Sequence, residues 1–119
     1  MKRAVTLKEN YEFRRMYQRG ASAVDRCMVL YCRKNKLGRN RFGFTVSVKL
    51  GNAVTRNRAR RRLREVCRLN ADKLSVGYDI VLVARGRTVT APFEELTAAY
   101  LRLAGKLSLL TEEPCSVFC

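Results

Sequence analysis

The first apolar pattern on the chain predicts a short amphipathic helix. Phe13, Met16 and Tyr17 are spaced at i, i+3 and i+4, so a helix over residues 8–19 places them on one face. Gly20 follows this segment and predicts a left-handed turn that closes the helix.

Two strands are predicted next, over residues 26–34 and 41–49, where β-branched and aromatic residues are frequent. The polar connector over residues 35–40 predicts an antiparallel hairpin with a longer loop. In the second strand alternate positions share a face, which is the pattern of a half-buried strand. One face holds Phe42, Phe44, Val46 and Val48, and the other holds Gly43, Thr45, Ser47 and Lys49.

A second helix is predicted from Asn52, a favourable N-cap, to about Leu69. Its apolar stripe and its charged positions fall on different sides of the helix. The stripe consists of Ala59, Leu63, Val66 and Cys67, and Arg58, Arg61, Arg64 and Arg68 point the other way.

The rest of the chain predicts one more strand and one more helix. The apolar run over residues 78–85, opened by Gly77, indicates a strand buried on both faces. Pro92 is a favoured first residue for a last helix, whose apolar positions are Leu96, Tyr100, Leu103 and Leu107.

The order of these elements predicts an α/β (α+β) two-layer sandwich, with one mixed sheet and three helices. A further short strand is expected near residues 4–6 or 21–25. Residues 1–119 are expected to form a single domain, in which residues 111–119 are a frayed tail.

The positive charge of the chain is concentrated in its first part. The sequence contains 25 Lys and Arg against 10 Asp and Glu, a formal net charge of +15. Residues 1–68 have a balance of +16, whereas residues 69–119 have a balance of −1. This clustering predicts a polyanionic partner. The 18 arginines against 7 lysines favour nucleic acid, because the guanidinium group binds phosphate and stacks on bases.

The sequence gives little support for a membrane partner, a metal site or a catalytic site made of protein side chains. We expect no secretory signal and no membrane span, and a basic amphipathic helix suited to an anionic membrane surface is not recognisable. The chain has no histidine and no Cys-x-x-Cys pair, so we expect no metal site and reduced thiols in a cytoplasmic protein. No motif predicts catalysis by the protein's own side chains. The cysteines are Cys27, Cys32, Cys67, Cys115 and Cys119, and a Cys115–Cys119 disulfide is left open.

The strongest local signal is a run of seven arginines in the second predicted helix, countered only by Glu65. Arginines at i, i+3 and i+4 repel one another, so we expect a polyanion to neutralise them. A solvated helix face normally mixes both signs of charge. A helix that reads the DNA major groove normally follows another helix and a tight turn, whereas this one follows a strand. RNA backbone binding is therefore favoured over DNA binding.

A second signal comes from Phe13, Tyr17 and Tyr31, which are flanked by cationic residues. Exposed rings beside cations stack on unpaired bases, each contributing about 1–3 kcal/mol. The same rings fit a buried core, which periodicity alone favours, so the residues leave both interpretations open. The flanking cations are Arg14, Arg15, Arg33 and Lys34.

Residues 46–65 closely resemble the signature of the bacterial ribonuclease P protein family. The hallmark is Arg56-Asn57-Arg58, preceded by Gly51-Asn52-Ala53-Val54. The resemblance extends from Leu7-Lys8 through Val29-Leu30-Tyr31, Tyr78-Asp79-Ile80-Val81 and Ala84-Arg85 to about Leu107.

The resemblance implies a subunit of a ribonucleoprotein enzyme. Its RNA subunit carries the active site and Mg²⁺ and removes the 5′ leader of precursor tRNA by hydrolysis. The implied partners are this RNA and precursor tRNA, with no obligate protein partner. The implied fold is an α/β sandwich with an unusual left-handed βαβ crossover, where general chirality rules predict a right-handed one. A ribosomal or other structural RNA-binding protein is the alternative, and it would lack the extended signature.

By position, the resemblance also implies roles for residues, none of them catalytic. In the cleft set, many relatives have two consecutive lysines after the serine. Here Val48 intervenes, and strand alternation predicts that it faces the core and leaves the polar role to Lys49. The RNA-subunit set is Arg56, Asn57, Arg58, Arg60, Arg61, Arg62, Arg64 and Arg68, and the leader-cleft set is Phe13, Tyr17, Tyr31, Ser47 and Lys49.

Overall fold

The computed structural model describes residues 5–6 and 10–110, which form one five-stranded mixed sheet with helices on both faces. The predicted α/β sandwich with three main helices is confirmed, whereas a short helix and two 3-10 turns were not predicted. The strands are β1 Val5–Thr6, β2 Ala21–Val24, β3 Met28–Lys34, β4 Arg41–Thr45 and β5 Tyr78–Ala84. The helices are α1 Asn10–Arg19, α2 Ala53–Leu69, α3 Gly86–Thr90 and α4 Phe93–Lys106, and the 3-10 turns are Val48–Leu50 and Ala71–Lys73.

Some expectations concern residues outside this range. The frayed tail and the Cys115–Cys119 pairing lie outside the described residues, as do residues 8–9 at the predicted start of α1. The single domain stays a prediction. Short strands occur at both of the places where one was expected, as β1 and β2.

The strand order is β1-β4-β5-β3-β2, so the predicted hairpin between β3 and β4 is wrong. Strand β5 lies between them, parallel to β4 and antiparallel to β3. Ile80, Val81 and Leu82 in β5 are fully buried, and only a central strand covered on both faces buries such a run. The β4–α2–β5 connection is a βαβ unit between parallel neighbours, and its left hand stays a prediction.

The two faces of the sheet support cores of different size. Ile80 and Leu82 belong to the larger core, which packs against α2 and α4. Val81 points to the opposite face and packs against Met16 of α1. The predicted two-layer sandwich therefore corresponds to the sheet together with α2 and α4. Helix α1 adds a partial third layer on the other face of the sheet. The α4 side of the main core includes Leu96, Tyr100 and Leu103, as predicted.

The end of α1 is shaped by close packing on β3. Gly20 does not adopt the predicted left-handed conformation, since the described glycines with positive φ are Gly38, Gly51 and Gly77. A Cβ atom on Gly20 would lie 2.7 Å from the Met16 carbonyl oxygen and 2.9 Å from that of Cys32. Glycine is therefore required here by the close approach of two backbones.

The end of β4 corrects a second expectation. The strand ends at Thr45, and Val48 lies in the 3-10 turn with 72% of its surface exposed, so the prediction that it faces the core is wrong. The Ser47 hydroxyl accepts a hydrogen bond from the Lys49 backbone N–H at 3.1 Å, a local bond that replaces a ladder bond. After this turn the chain enters α2, which packs on the main-core face of the sheet.

The starts of α2 and α4 were predicted to within one residue. Asn52 caps α2, and its Oδ1 accepts from the Thr55 backbone N–H at 2.9 Å. Pro92 is the N-cap of α4 rather than its first helical residue, and the helix begins at Phe93. No helix of the described residues is long and apolar enough to cross a membrane.

Candidate nucleic-acid interface

The arginines of α2 form a surface that the apolar stripe below them holds in place. Ala59, Leu63, Val66 and Cys67 are buried in the main core as predicted. Because the helix is anchored along this stripe, its opposite side is rigid. We call the exposed residues there the basic ridge, which consists of Arg58, Arg61, Arg64 and Arg68.

Carboxylates among the described residues neutralise only a small part of the positive charge of the basic ridge. Glu65 is the only carboxylate in the described part of the chain that forms an ion pair with an arginine of α2, and its partner is Arg68. The hydrogen bond from Arg68 holds the pKa of Glu65 below its ordinary value. The Arg64 guanidinium lies 5.6 Å from the centroid of the Phe44 ring, which orients its charge without neutralising it.

Asn57 and Arg60 flank the basic ridge and contact each other. The Arg60 Nη1 donates a hydrogen bond to Asn57 Oδ1 at 3.2 Å. Arg56 is half-buried, and its Nε is buried without a hydrogen-bond partner among the described residues. Arg56 and Arg60 add positive charge beside the basic ridge, and Asn57 adds a neutral amide there.

Arg62 is not brought together with the other arginines. Its guanidinium turns to α3 and donates to the backbone carbonyls of Thr88 at 2.9 Å and Val89 at 2.8 Å. It also donates to the carbonyl of Ala91 at 2.6 Å. Burial lowers the pKa of Arg62, and the charge of Arg58 lowers it further. The side chain therefore ties α2 to the end of α3.

The predicted leader-binding aromatics meet on the opposite face of the sheet, between α1 and the strands. We call Phe13, Tyr17 and Tyr31 the aromatic cleft. The Tyr17 and Tyr31 rings are 5.0 Å apart at an interplanar angle of 69°, and the Tyr17 hydroxyl lies 2.6 Å from Thr45 Oγ1.

The exposure of these rings shows that they are not fully buried core residues. Phe13 and Tyr31 pack against the buried Met16–Val81 pair but remain only half-buried, and Tyr17 is 41% exposed. Each ring thus has a supported side and an open side. This arrangement suits a stacking platform, because the ring orientation is set before a base arrives.

Ser47 and Lys49 lie beyond the end of β4, in the turn that leads to α2. Both are exposed, and the hydrogen bond described for them joins the two residues to each other rather than to the aromatic rings. Because α2 packs on one face of the sheet and α1 on the other, this turn links the aromatic cleft to the start of the basic ridge.

The sequence analysis treated Arg14, Arg15 and Arg33 only as cations beside the aromatic rings, and it did not predict that they form a separate surface. Tyr11, Arg14, Arg15, Gln18 and Arg19 share the flank of α1 away from its packed side, at spacings of three and four residues that could have revealed it. With Arg33 of β3 they line a mostly polar groove of about 480 Å³, which we call the α1 groove.

Among the described residues, no group of three His, Cys, Asp or Glu side chains is placed to hold a metal ion. The half-buried carboxylate of Asp79 is occupied by the Arg41 guanidinium, with Nε and Nη2 donating at 2.9 and 2.8 Å. Asn35 Nδ2 donates to it as well, at 2.8 Å.

Comparisons with known proteins agree along most of the chain. A profile of the family described as Ribonuclease P matches residues 1–108. The ribonuclease P protein component of Natranaerobius thermophilus is 44% identical over 110 residues, covering 92% of this chain and 96% of that protein. The component of Pelotomaculum thermopropionicum is 46% identical over 103 residues, covering 87% and 92%. The structure of the Staphylococcus aureus RNase P protein is similar with a TM-score of 0.80 at 29% identity, covering 92% of this chain and 100% of that chain.

Proposed function

Because the chain belongs to the ribonuclease P protein family, we propose that it binds the catalytic RNA subunit and the 5′ leader of precursor tRNA. In this way it promotes removal of the leader by hydrolysis. As a protein component of ribonuclease P it has an RNA subunit as partner. The observation that carries the proposal is an exposed, rigid ridge of arginines, joined by one turn to a half-open cleft of aromatic rings.

The basic ridge is the proposed contact with the RNA subunit. Arg58 and Arg68 are ten positions apart, which corresponds to about 15 Å along the helix axis. A row of charges of this length matches a series of phosphates rather than one small anion. Arg56, Asn57 and Arg60 extend the contact, whereas Arg62 supports it from within by fixing α3.

The aromatic cleft is the proposed contact with the leader. Unpaired bases stack on supported rings, and the Tyr17–Thr45 hydrogen bond holds one ring edge in place. Ser47 and Lys49 are proposed to contact leader phosphates at the turn beside the cleft, because both are exposed polar residues there. Mature tRNA has no leader and gains nothing from these contacts.

Catalysis is proposed to belong to the RNA subunit. The described carboxylates do not fit a magnesium site, since Asp79 is occupied by Arg41 and Asn35 and no group of three ligands is present in the described range. We therefore assign Mg²⁺ to RNA phosphates and derive no step through it. The cytoplasm, where precursor tRNA is processed in bacteria, is the proposed compartment.

Reconstitution with the RNA subunit at low magnesium tests the proposal, with leader release as the readout. We expect the protein to raise turnover. The double variant Arg58→Ala/Arg61→Ala should weaken assembly and reduce the log–log salt slope by about 0.7–0.9 per lost phosphate contact. Lys36→Ala/Arg39→Ala removes the same charge from an exposed loop and serves as the control.

A second variant tests the cleft. Phe13→Ala should lower affinity for precursor tRNA with a leader but leave mature tRNA binding unchanged. Equal losses on both RNAs would contradict the cleft assignment. If the RNA subunit has the same turnover with and without this protein at physiological ionic strength, the proposed function is wrong.

A further inference from the structure

The α1 groove is a cationic surface distinct from both the basic ridge and the aromatic cleft. It lies on the flank of α1 that points away from the Phe13, Met16 and Tyr17 face. Its volume of about 480 Å³ falls within the about 300–1,000 Å³ that is usual for ligand sites. Such a groove is large enough to hold part of a polymer strand.

The positive charge of the α1 groove is only partly offset within the described part of the protein, by Asp79, whose pKa the charge of Arg33 helps to lower. Four arginines line it, and none of them forms an ion pair with a described carboxylate. Four like charges around one concave surface repel one another and raise the local concentration of anions. The groove therefore favours an anionic occupant with several charges. These arginines are Arg14, Arg15, Arg19 and Arg33.

Tyr11 indicates which kind of polyanion fits. Its side chain is 56% exposed, and the Arg15 guanidinium lies 5.6 Å from the ring centroid. An exposed ring bordered by arginines offers a stacking surface and phosphate donors together, which is the combination that binds single-stranded nucleic acid. Bases in a duplex are already stacked and paired, so a duplex would leave the ring unused.

We infer that the α1 groove binds the distal, single-stranded part of the leader, beyond the segment held in the aromatic cleft; this inference rests on the proposed function. The two sites lie on different flanks of one helix, so a strand that leaves the cleft reaches the groove by crossing α1. That distance is about 10–12 Å, the diameter of a helix with its side chains, which a few nucleotides can span.

A series of precursor tRNAs with leaders of increasing length tests this inference on the reconstituted ribonucleoprotein. The variant is Arg14→Gln/Arg19→Gln, which keeps good helix-forming residues on α1. The matched control is Lys36→Gln/Arg39→Gln, with the same loss of charge on an exposed loop. Thermal unfolding of each free protein shows whether the variants fold like the parent chain.

We expect the groove variant to bind short-leader precursors normally and long-leader precursors several-fold more weakly. Two lost single-strand phosphate contacts at about 0.7 each should reduce the log–log salt slope for long leaders by about 1.4. Tyr11→Ala should show the same dependence on leader length, and Tyr11→Phe, which keeps the ring, should not.

Losses that are equal for every leader length and for mature tRNA would overturn the inference, as would no loss with any leader. If Phe13→Ala still weakens short-leader binding in those cases, the proposed function stands and only the groove assignment fails. If the parent protein itself shows no preference for a leader, the proposed function fails.

Discussion

Arg62 provides a direct test of whether an arginine in the family's signature stabilises the fold rather than binding RNA. Arg62→Ala removes three hydrogen bonds, at 2.6–2.9 Å, from the guanidinium to the carbonyls of Thr88, Val89 and Ala91. The Thr88 hydroxyl in turn donates to the Cys27 carbonyl, so α3 is also tied to the start of β3. Loss of Arg62 should therefore loosen the contact between α2 and α3.

The expected size follows from the bonds that are lost. One hydrogen bond to a charged group contributes about 1.5–3 kcal/mol, and water can replace part of the set because Arg62 is only half-buried. We expect a loss of about 3 kcal/mol in the free energy of unfolding. For 119 residues the unfolding entropy is about 0.25 kcal/mol per kelvin, so the melting temperature should fall by about 12 °C.

Circular dichroism of the free protein during heating and in urea measures this effect. Arg61→Ala is the matched control, because Arg61 is exposed on the same helix and no hydrogen bond is described for its side chain. Arg62→Lys should be intermediate, since an ammonium group cannot reach three carbonyls at once. Equal melting temperatures for Arg62→Ala and Arg61→Ala would refute the reasoning.

Two further predictions concern Asp79 and Tyr17. Burial raises the pKa of Asp79, but the hydrogen bonds from Arg41 and Asn35 outweigh it and hold the pKa below its ordinary value. Its stabilisation is therefore present above the unfolded-state pKa of about 3.9 and is lost as the pH falls further. In the Asp79→Asn variant, the free energy of unfolding, measured with urea, should fall less steeply with decreasing pH in the acid range. The same pH dependence in the variant and the parent protein would contradict this. Tyr17→Phe removes the 2.6 Å bond to Thr45 but keeps the ring, so leader affinity should change little. Tyr17→Ala should weaken leader affinity by about 1–3 kcal/mol in a binding titration, and equal effects of the two variants would argue against stacking.

Sequence patterns predicted best the elements whose signals are local. The N-cap Asn52, the buried stripe from Ala59 to Cys67 and the outward arginines of α2 follow from helical periodicity and capping within a short segment. The strand β5 was recognised for the same reason, as a continuous apolar run. Each of these features depends on neighbours a few positions away, so the linear sequence contains the whole signal.

Predictions failed where strand pairing or packing depends on segments that are far apart in the sequence. The β3–β4 hairpin was predicted from a short connector, but β5 pairs with both strands and buries its apolar run between them. Gly20 was assigned to a left-handed turn, whereas the Cys32 carbonyl of another strand is what excludes a side chain. The Arg62 side chain points into the protein because it binds carbonyls at the end of α3, a helix that was not predicted.

By itself, the amino-acid sequence determined the cationic character of the protein, its three main helices and main strands, and the signature that indicates its family. The tertiary structure decided which of these charges are free to bind. It directs Arg62 into the protein, leaves Arg58 and Arg61 exposed, and gathers Arg33 with the arginines of α1 around one groove. The physical reason is that periodicity gives the direction of a side chain relative to its own helix or strand. What that side chain meets depends on the packing of elements far apart in the chain.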